Sequence, residues 1–504
     1  MKVFNRCTSK GLSPLYENLV KVDETQYRAT IDTEVPPGYM KYLPPFLGKY
    51  HVFRFKHSDL ITDVRHRTVD ERNCVEYRVS VPGTNQYVDV LVEPDVPVKV
   101  TMSLSDPNIS PGFLDALYQD LFLAVQVYEE KLRRSTVYLA FQPGEKISEE
   151  KTKGAGIIQR MLGDSMLGLF LVFMLISFAL FYVIFAVFQL WTPIILVAMQ
   201  FIFVLFAGRI AGRQGDWKIT ESTPEIELLQ YTLPIEEYKD FREKHAKEIP
   251  KLRKEIYESS VAVGKPIDCA SAHKAFQSVG IDCAPENFST KRINLYELVK
   301  KVTEKFRLPM PHSVVVANTT VPNAAATGPS PSQGTVIVTT GIMTQLEEDE
   351  LTAVLGHEIS HLKAKDPFIL LFLTSAEFIA RFYIAFTTPF FTYVPFILYF
   401  LIVYFLIYFF GKFLEARADL DSAKFLGKPK LLAEALSKIG FRRMIYTRGP
   451  EASAYRIQEW ISFDPHPPMY FRVQRLQELR EPVEVKHTFW QSVSDCLRGF
   501  ATAL

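Results

Sequence analysis

No charged side chain occurs between Ser165 and Ala207, a run about twice the ~20 residues that one membrane-spanning helix requires. Helices buried in globular cores seldom reach that length. The middle of the run, "FQLWTP", supplies a turn with Trp191 and Pro193, residue types found where a helix leaves the bilayer. The pattern therefore predicts two spanning helices in a hairpin, between residues 151 and 215. Two further apolar stretches, Phe368 to Phe386 and about Pro395 to Phe410, are separated by "TTPFFTYV" and predict a second hairpin at about 368–410. Glu377 and Arg381 interrupt the third stretch. Four residues apart, they fall on one helix face and can pair, either as a structural ion pair or as a contact site at membrane depth.

Hydrophobic residues make up 48% of the 504-residue chain, high for a purely soluble protein. Lys151, Lys153 and Arg160 precede the first hairpin, and Arg209, Arg213 and Lys218 follow it. By the positive-inside rule this predicts a multi-pass protein of the cell membrane with its soluble parts in the cytoplasm. A net charge of +1 provides no global field for nucleic acid, which is not expected as a partner. The lipid bilayer is. The five cysteines are scattered without CxxC spacing, so neither a thiolate metal site nor a disulfide framework is expected, and Cys269 and Cys283 are read as free thiols. The start, "MKVFNRCTSKGLSPLYENL", lacks the apolar core of a secretory signal.

Residues 1–150 alternate apolar and polar positions in short runs such as "HVFRF" and "YVDVLVEPDVPVKVTM", with a helical pattern from Pro111 to about Leu132. They read as a soluble α+β domain. Residues 216–290 are charged and read as a helical connector.

The strongest chemical signal is "AVLGHEISHLKAKDP". On a helix, His357 and His361 lie on one face about 5–6 Å apart and can offer imidazole nitrogens to one zinc. Glu358 lies beside that face, placed to accept a proton from a water whose acidity the metal raises. Glu347, Glu348, Asp349 and Glu350 mark the helix entry. With 10 histidines in the chain, composition alone produces HExxH in roughly one such sequence in a hundred, so a third ligand is needed to give the motif weight. Glu415 in "GKFLEARADLDSAKFLG" is the best candidate, with Asp419 one turn on as a group that holds a ligand in place. The same helix also reads as merely exposed and charged, with Arg417 and Lys424 balancing the acids.

"VTTGIMTQLEEDELTAVLGHEISHLKAKDP" resembles the corresponding stretch of HtpX-type membrane zinc endopeptidases, relatives of the CAAX prenyl endopeptidases. "PNAAATG" from Pro322, "EARAD" from Glu415 and "DPHPP" from Asp464 are similar to further motifs of that family, in the same order. The resemblance implies a gluzincin-like zinc peptidase core in residues 291–504, largely helical with a small sheet. The whole is then an α+β multi-pass membrane protein with two transmembrane hairpins and an added N-terminal domain. It implies one Zn2+ per chain held by His357, His361 and Glu415, with Glu358 as catalytic base. Protein or peptide substrates follow. A CAAX-type prenyl-protein endopeptidase and a non-catalytic scaffold on the same fold remain alternatives. The N-terminal domain has no counterpart in the resemblance.

Two residues carry open readings. Asn323 sits where a strand bordering the cleft would bind extended substrate through its main chain, or where a turn would form. His466, stiffened by Pro465, Pro467 and Pro468, either donates a hydrogen bond to the transition state or idles in a helix N-terminal turn.

Overall fold

The computed structural model describes residues 19–54, 60–144, 166–213, 215–387, 396–447 and 452–504. The basic flank Lys151, Lys153 and Arg160, Cys7 and most of "TTPFFTYV" lie outside them. The described residues form two compact units. Of those residues, one unit takes 19–54, 60–136, 232–239, 441–447 and 452, and the other takes 137–144, 166–213, 215–231, 240–387, 396–440 and 453–504.

The first unit is built on a six-stranded antiparallel sheet in the order β1 (Val20–Lys21), β2 (Gln26–Ile31), β6 (Val98–Leu104), β5 (Tyr87–Glu93), β4 (Arg72–Ser80), β3 (Ile61–Val69). Alternation in "YVDVLVE" buries Val88, Val90 and Val92 completely and leaves Tyr87, Asp89, Leu91 and Glu93 half-buried on the other face, the pattern of a sheet with one covered face. Helix α1 spans Leu43–Arg54 and α2 spans Pro111–Arg133. The Tyr118 hydroxyl of α2 donates to the Thr30 carbonyl of β2 at 3.0 Å. His51–Arg54 of "HVFRF" belong to α1 rather than to a strand, because an alternation of so few residues does not separate the two periods.

In the second unit, β7 (Thr136–Phe141), β9 (Glu225–Thr232) and β10 (Phe288–Asn294) form a three-stranded sheet with β9 central. The stretch read as a helical connector thus supplies strands as well: β9 and also β8 (Trp217–Ile219). Leu228, Leu229 and Tyr231 of β9 are buried. Cys269 and Cys283 are bonded to each other, with Cα atoms 5.6 Å apart, contrary to the free thiols expected. Spacing and compartment carry no information on the local fold that pairs them. Locally, helix α5 (Cys269–Ser278) ends in a turn at Gly280, φ +75°, that folds Cys283 back onto the helix start.

A second sheet of the same unit has the order β12 (Ala324–Thr327), β13 (Thr335–Thr339), β11 (Ser313–Ala317), β8, with β11 and β13 parallel and β12 at one edge. Beside β12 packs α7 (Glu348–Ala364). A reciprocal capping box between Glu347 and Glu350 starts this helix, and Glu348, Asp349 and Glu350 favour the positive end of its dipole. Leu351, Leu355, Ile359 and Leu362 are fully buried, each contributing about 1.5–3 kcal/mol. Lys365, φ +59°, closes the helix in the left-handed conformation.

The apolar segments are helical: α3 (Met166–Phe188), α4 (Thr192–Ala211), α8 (Asp366–Thr387) and the first half of α9 (Phe396–Leu426). Gln189, φ +46°, breaks the path between α3 and α4. Among the described residues, Ile176–Ala211 and Asp366–Ala385 are long and apolar enough to cross a membrane. Side chains such as Tyr182, Val183 and Phe372 point outward from them, unlike those of a helix buried in a soluble core. Arg381 Nε donates to Glu377 Oε1 at 2.7 Å, and the Tyr399 hydroxyl of α9 donates to the same oxygen at 3.2 Å.

Candidate metal centre

Two helices make the site, and one glycine sets how closely they approach. A Cβ placed on Gly356 of α7 would stand 2.6 Å from Leu426 Cδ1 and 2.7 Å from Ser422 Oγ, both on α9. Ser422 also donates to the Ala353 carbonyl of α7 at 2.7 Å. This seam brings His357 and His361 of α7 against Glu415 and Asp419 of α9.

The Nε2 atoms of His357 and His361 stand 3.2 Å apart. Glu415 Oε2 is 3.2 Å from the first, and Oε1 is 3.4 Å from the second. Zinc–nitrogen bonds of about 2.0–2.1 Å in a tetrahedron set neighbouring donors about 3.3–3.4 Å apart, so the three side chains fit a zinc ion. Glu415 Oε2 is moreover a buried oxygen that accepts no hydrogen bond, a costly state for a carboxylate unless a cation offsets it. Among the described residues these three form the one such cluster.

Behind each imidazole stands a carboxylate. Asp366 Oδ2 lies 2.7 Å from His361 Nδ1, and Asp419 Oδ1 lies 2.9 Å from His357 Nδ1. For His361 this contact is a hydrogen bond, which holds the proton on Nδ1 and leaves the Nε2 lone pair for a ligand, whereas Asp419 stands beside His357 as a charge partner without one. The acids are themselves held. Arg472, on α11 (Met469–Gln477), donates to both oxygens of Asp419 at 2.7 and 2.8 Å. Arg417 donates to Asp366 at 2.5 Å and to Asp421 at 3.0 Å, and Ser360 of α7 donates to Asp421 at 2.9 Å. Burial alone would push the His357 imidazolium toward neutrality, but Asp419 and Glu415 outweigh it and push its pKa up to about 10. Burial likewise opposes ionisation of Asp419, yet the Arg472 guanidinium holds that carboxyl well below its usual range. Burial pushes the Glu358 carboxyl up, against the pull of the neighbouring imidazoles.

The structure brings His357, Glu358, His361, Glu415, Asp419 and His466 into one neighbourhood. His466 Nε2 is 3.6 Å from Glu415 Oε2, and its Nδ1 is 2.7 Å from Asp464 Oδ1. Asn323 lies immediately before β12. Its amide donates to Thr339 Oγ1 at 2.9 Å and its carbonyl accepts from the Thr339 amide at 3.0 Å. Sequence reasoning missed Asp366 and the roles of Arg417 and Arg472. Asp366 sits five positions after His361, just beyond the helix end; that placement was its only local signal.

Residues 289–480 match the family described as Peptidase family M48. A protease HtpX homolog of Moorella thermoacetica is 33% identical over 221 residues, covering 38% of this chain and 73% of the relative. One of Gemmatimonas aurantiaca is 32% identical over 214 residues, covering 37% and 75%. One of Thermodesulfovibrio yellowstonii is 49% identical over 72 residues, covering 14% of this chain and only 25% of the relative. The chain belongs to peptidase family M48, a family of metalloproteases. Within it the chain is of the HtpX type, consistent with its exposed apolar helices.

Proposed function

We propose that the chain is an integral-membrane zinc endopeptidase that hydrolyses peptide bonds of membrane or misfolded proteins. The observation that carries the reading is the convergence of His357, His361 and Glu415 donors at 3.2–3.4 Å from one another. Zinc held by these residues, one ion per chain, supplies Lewis acidity toward water and the scissile carbonyl. Glu358, on the helix position after His357, takes a proton from the attacking water and passes it to the departing amine. His466 donates from Nε2 to the carbonyl oxygen as negative charge develops. With Nδ1 turned to the Asp464 carboxylate at 2.7 Å, the proton that Nε2 donates is that of the doubly protonated ring. Asp419 and Asp366 keep the two metal-facing imidazoles in register.

Substrate lies along β12. That strand has a neighbour, β13, on one side in its sheet, and an extended peptide adds to the other edge through main-chain hydrogen bonds, with Asn323 at the strand's entry. We read the core as gluzincin-like and residues 1–150 as a separate soluble module. The apolar helices read as two hairpins. Support for the first is that Phe201 of α4 meets Phe368 near the start of α8, while Phe181 of α3 meets Phe382 near its end. The basic residues flanking the first hairpin in the sequence support a cytoplasmic catalytic side.

Protein purified in detergent should carry about one zinc per chain and degrade casein. Metal-free protein with no proteolysis after zinc addition would sink the proposal.

A further inference from the structure

Lys412 is fully buried, and lysine is almost never so unless its ammonium is matched by acceptors. It lies on α9, three positions before Glu415. Its Nζ donates to the carbonyl oxygen of His466 at 3.1 Å and to that of Asp464, and it reaches that of Glu459 at 3.5 Å. An ammonium has three protons and no acceptor capacity, so these three carbonyls match its donors. Glu459 belongs to α10 (Ala452–Ile461); the other two acceptors lie in the loop that follows.

The neighbouring residue shapes the same seat. A Cβ on Gly411 would stand 3.0 Å from Pro465 Cβ and 3.4 Å from Pro465 Cα, a separation that side chains rarely tolerate. Glycine at 411 therefore lets Pro465 lie directly on α9, while the ammonium at 412 grips the carbonyls on either side of that proline. Within the loop, Asp464 Oδ1 accepts from both the amide and Nδ1 of His466, which turns the ring so that Nε2 faces Glu415. Backbone and ring are thus fixed by different groups. Lys412 fixes where the loop sits relative to the helix bearing Glu415, and Asp464 fixes how the imidazole is aimed.

We propose that Lys412 is a positioning residue for His466: it seats the Asp464–His466 loop on α9 and so holds the imidazole at the reacting carbonyl. This rests on the reading that His466 donates to the developing oxyanion. A donor aimed at charge that exists only in the transition state loses its effect when displaced by about 1 Å, and ground-state binding of the peptide elsewhere along the cleft does not.

The test is a double-mutant cycle on the full chain in detergent, with labelled casein as the probe and zinc content measured alongside. Lys412→Met should lower kcat by roughly 10–100-fold, with KM within about twofold and zinc retained. In the His466→Phe background the same substitution should have almost no further effect, since the group it positions is gone. An equal loss of kcat in both backgrounds overturns the proposal while leaving the role of His466 intact. Unchanged kcat in His466→Phe alone overturns the underlying reading and this proposal with it. Should Lys412→Met fail to fold, Gly411→Ala, which presses on Pro465 from the same helix, must show the same dependence on His466; a loss independent of His466 overturns the proposal.

Discussion

Arg472 grips Asp419 with two parallel hydrogen bonds of 2.7 and 2.8 Å, and both side chains are buried. Asp419 in turn faces His357. Replacing Arg472 by methionine leaves a buried carboxylate without its partner, at a cost of about 3–5 kcal/mol. The melting temperature should fall, and zinc affinity should drop by about 10–100-fold because the imidazole loses its orienting acid. Thermal melts and zinc titration read the two effects separately; unchanged values in both would mean that the pair is idle.

Ligand and base separate cleanly by substitution. Glu358→Gln should retain near-stoichiometric zinc while peptide hydrolysis falls by about 10²-fold or more. His361→Ala or Glu415→Ala should instead lose the metal. If Glu415→Ala binds zinc like the parent protein, the third ligand is misassigned and Asp419 is the next to test.

Gly356 can be probed without touching a ligand. Its Cβ would fall 2.6 Å from Leu426 and 2.7 Å from Ser422, so Gly356→Ala should force the two helices that carry the candidate ligands apart and destabilise the protein by about 1–3 kcal/mol. The same variant should bind zinc more weakly, as its donors separate. A stabilised variant, as expected for an ordinary helix glycine replaced by alanine, would refute the close seam.

The proposed topology of two hairpins makes an even number of crossings. A tag ahead of β1 and a reporter following α12 (Thr488–Ala503) should therefore both be cytoplasmic. Digestion of either by protease added from outside intact cells would disprove that topology.

Much of the site was legible because its signals are local. The i, i+4 histidines, the acidic helix entry and the Glu415–Asp419 turn each declare themselves within a few residues. Arg472 and Asp366 declare themselves only through partners 53 and 51 positions away in sequence, Asp419 and Arg417, and no periodicity encodes such pairings. Charge likewise obscured β9, where Glu225 and Glu227 alternate with buried Ile226 and Leu228 inside a segment that reads as solvated. Backbone pairing with β10, not composition, makes it a strand.

Helix α9 runs unbroken from Phe396 to Leu426, about 46 Å of continuous rod, and five positions separate Phe410, the end of its apolar run, from Glu415. That interval is only about 7 Å of rise. Where the apolar half is embedded in lipid, the scissile bond is then held at a fixed, small height above the hydrocarbon. A peptidase so built would act as a depth gauge, selecting a peptide bond by its distance from the bilayer as well as by its side chains. Cut sites mapped on membrane-anchored peptides with spacers of graded length would read that height directly, and sites that track sequence regardless of spacer would show that no gauge operates.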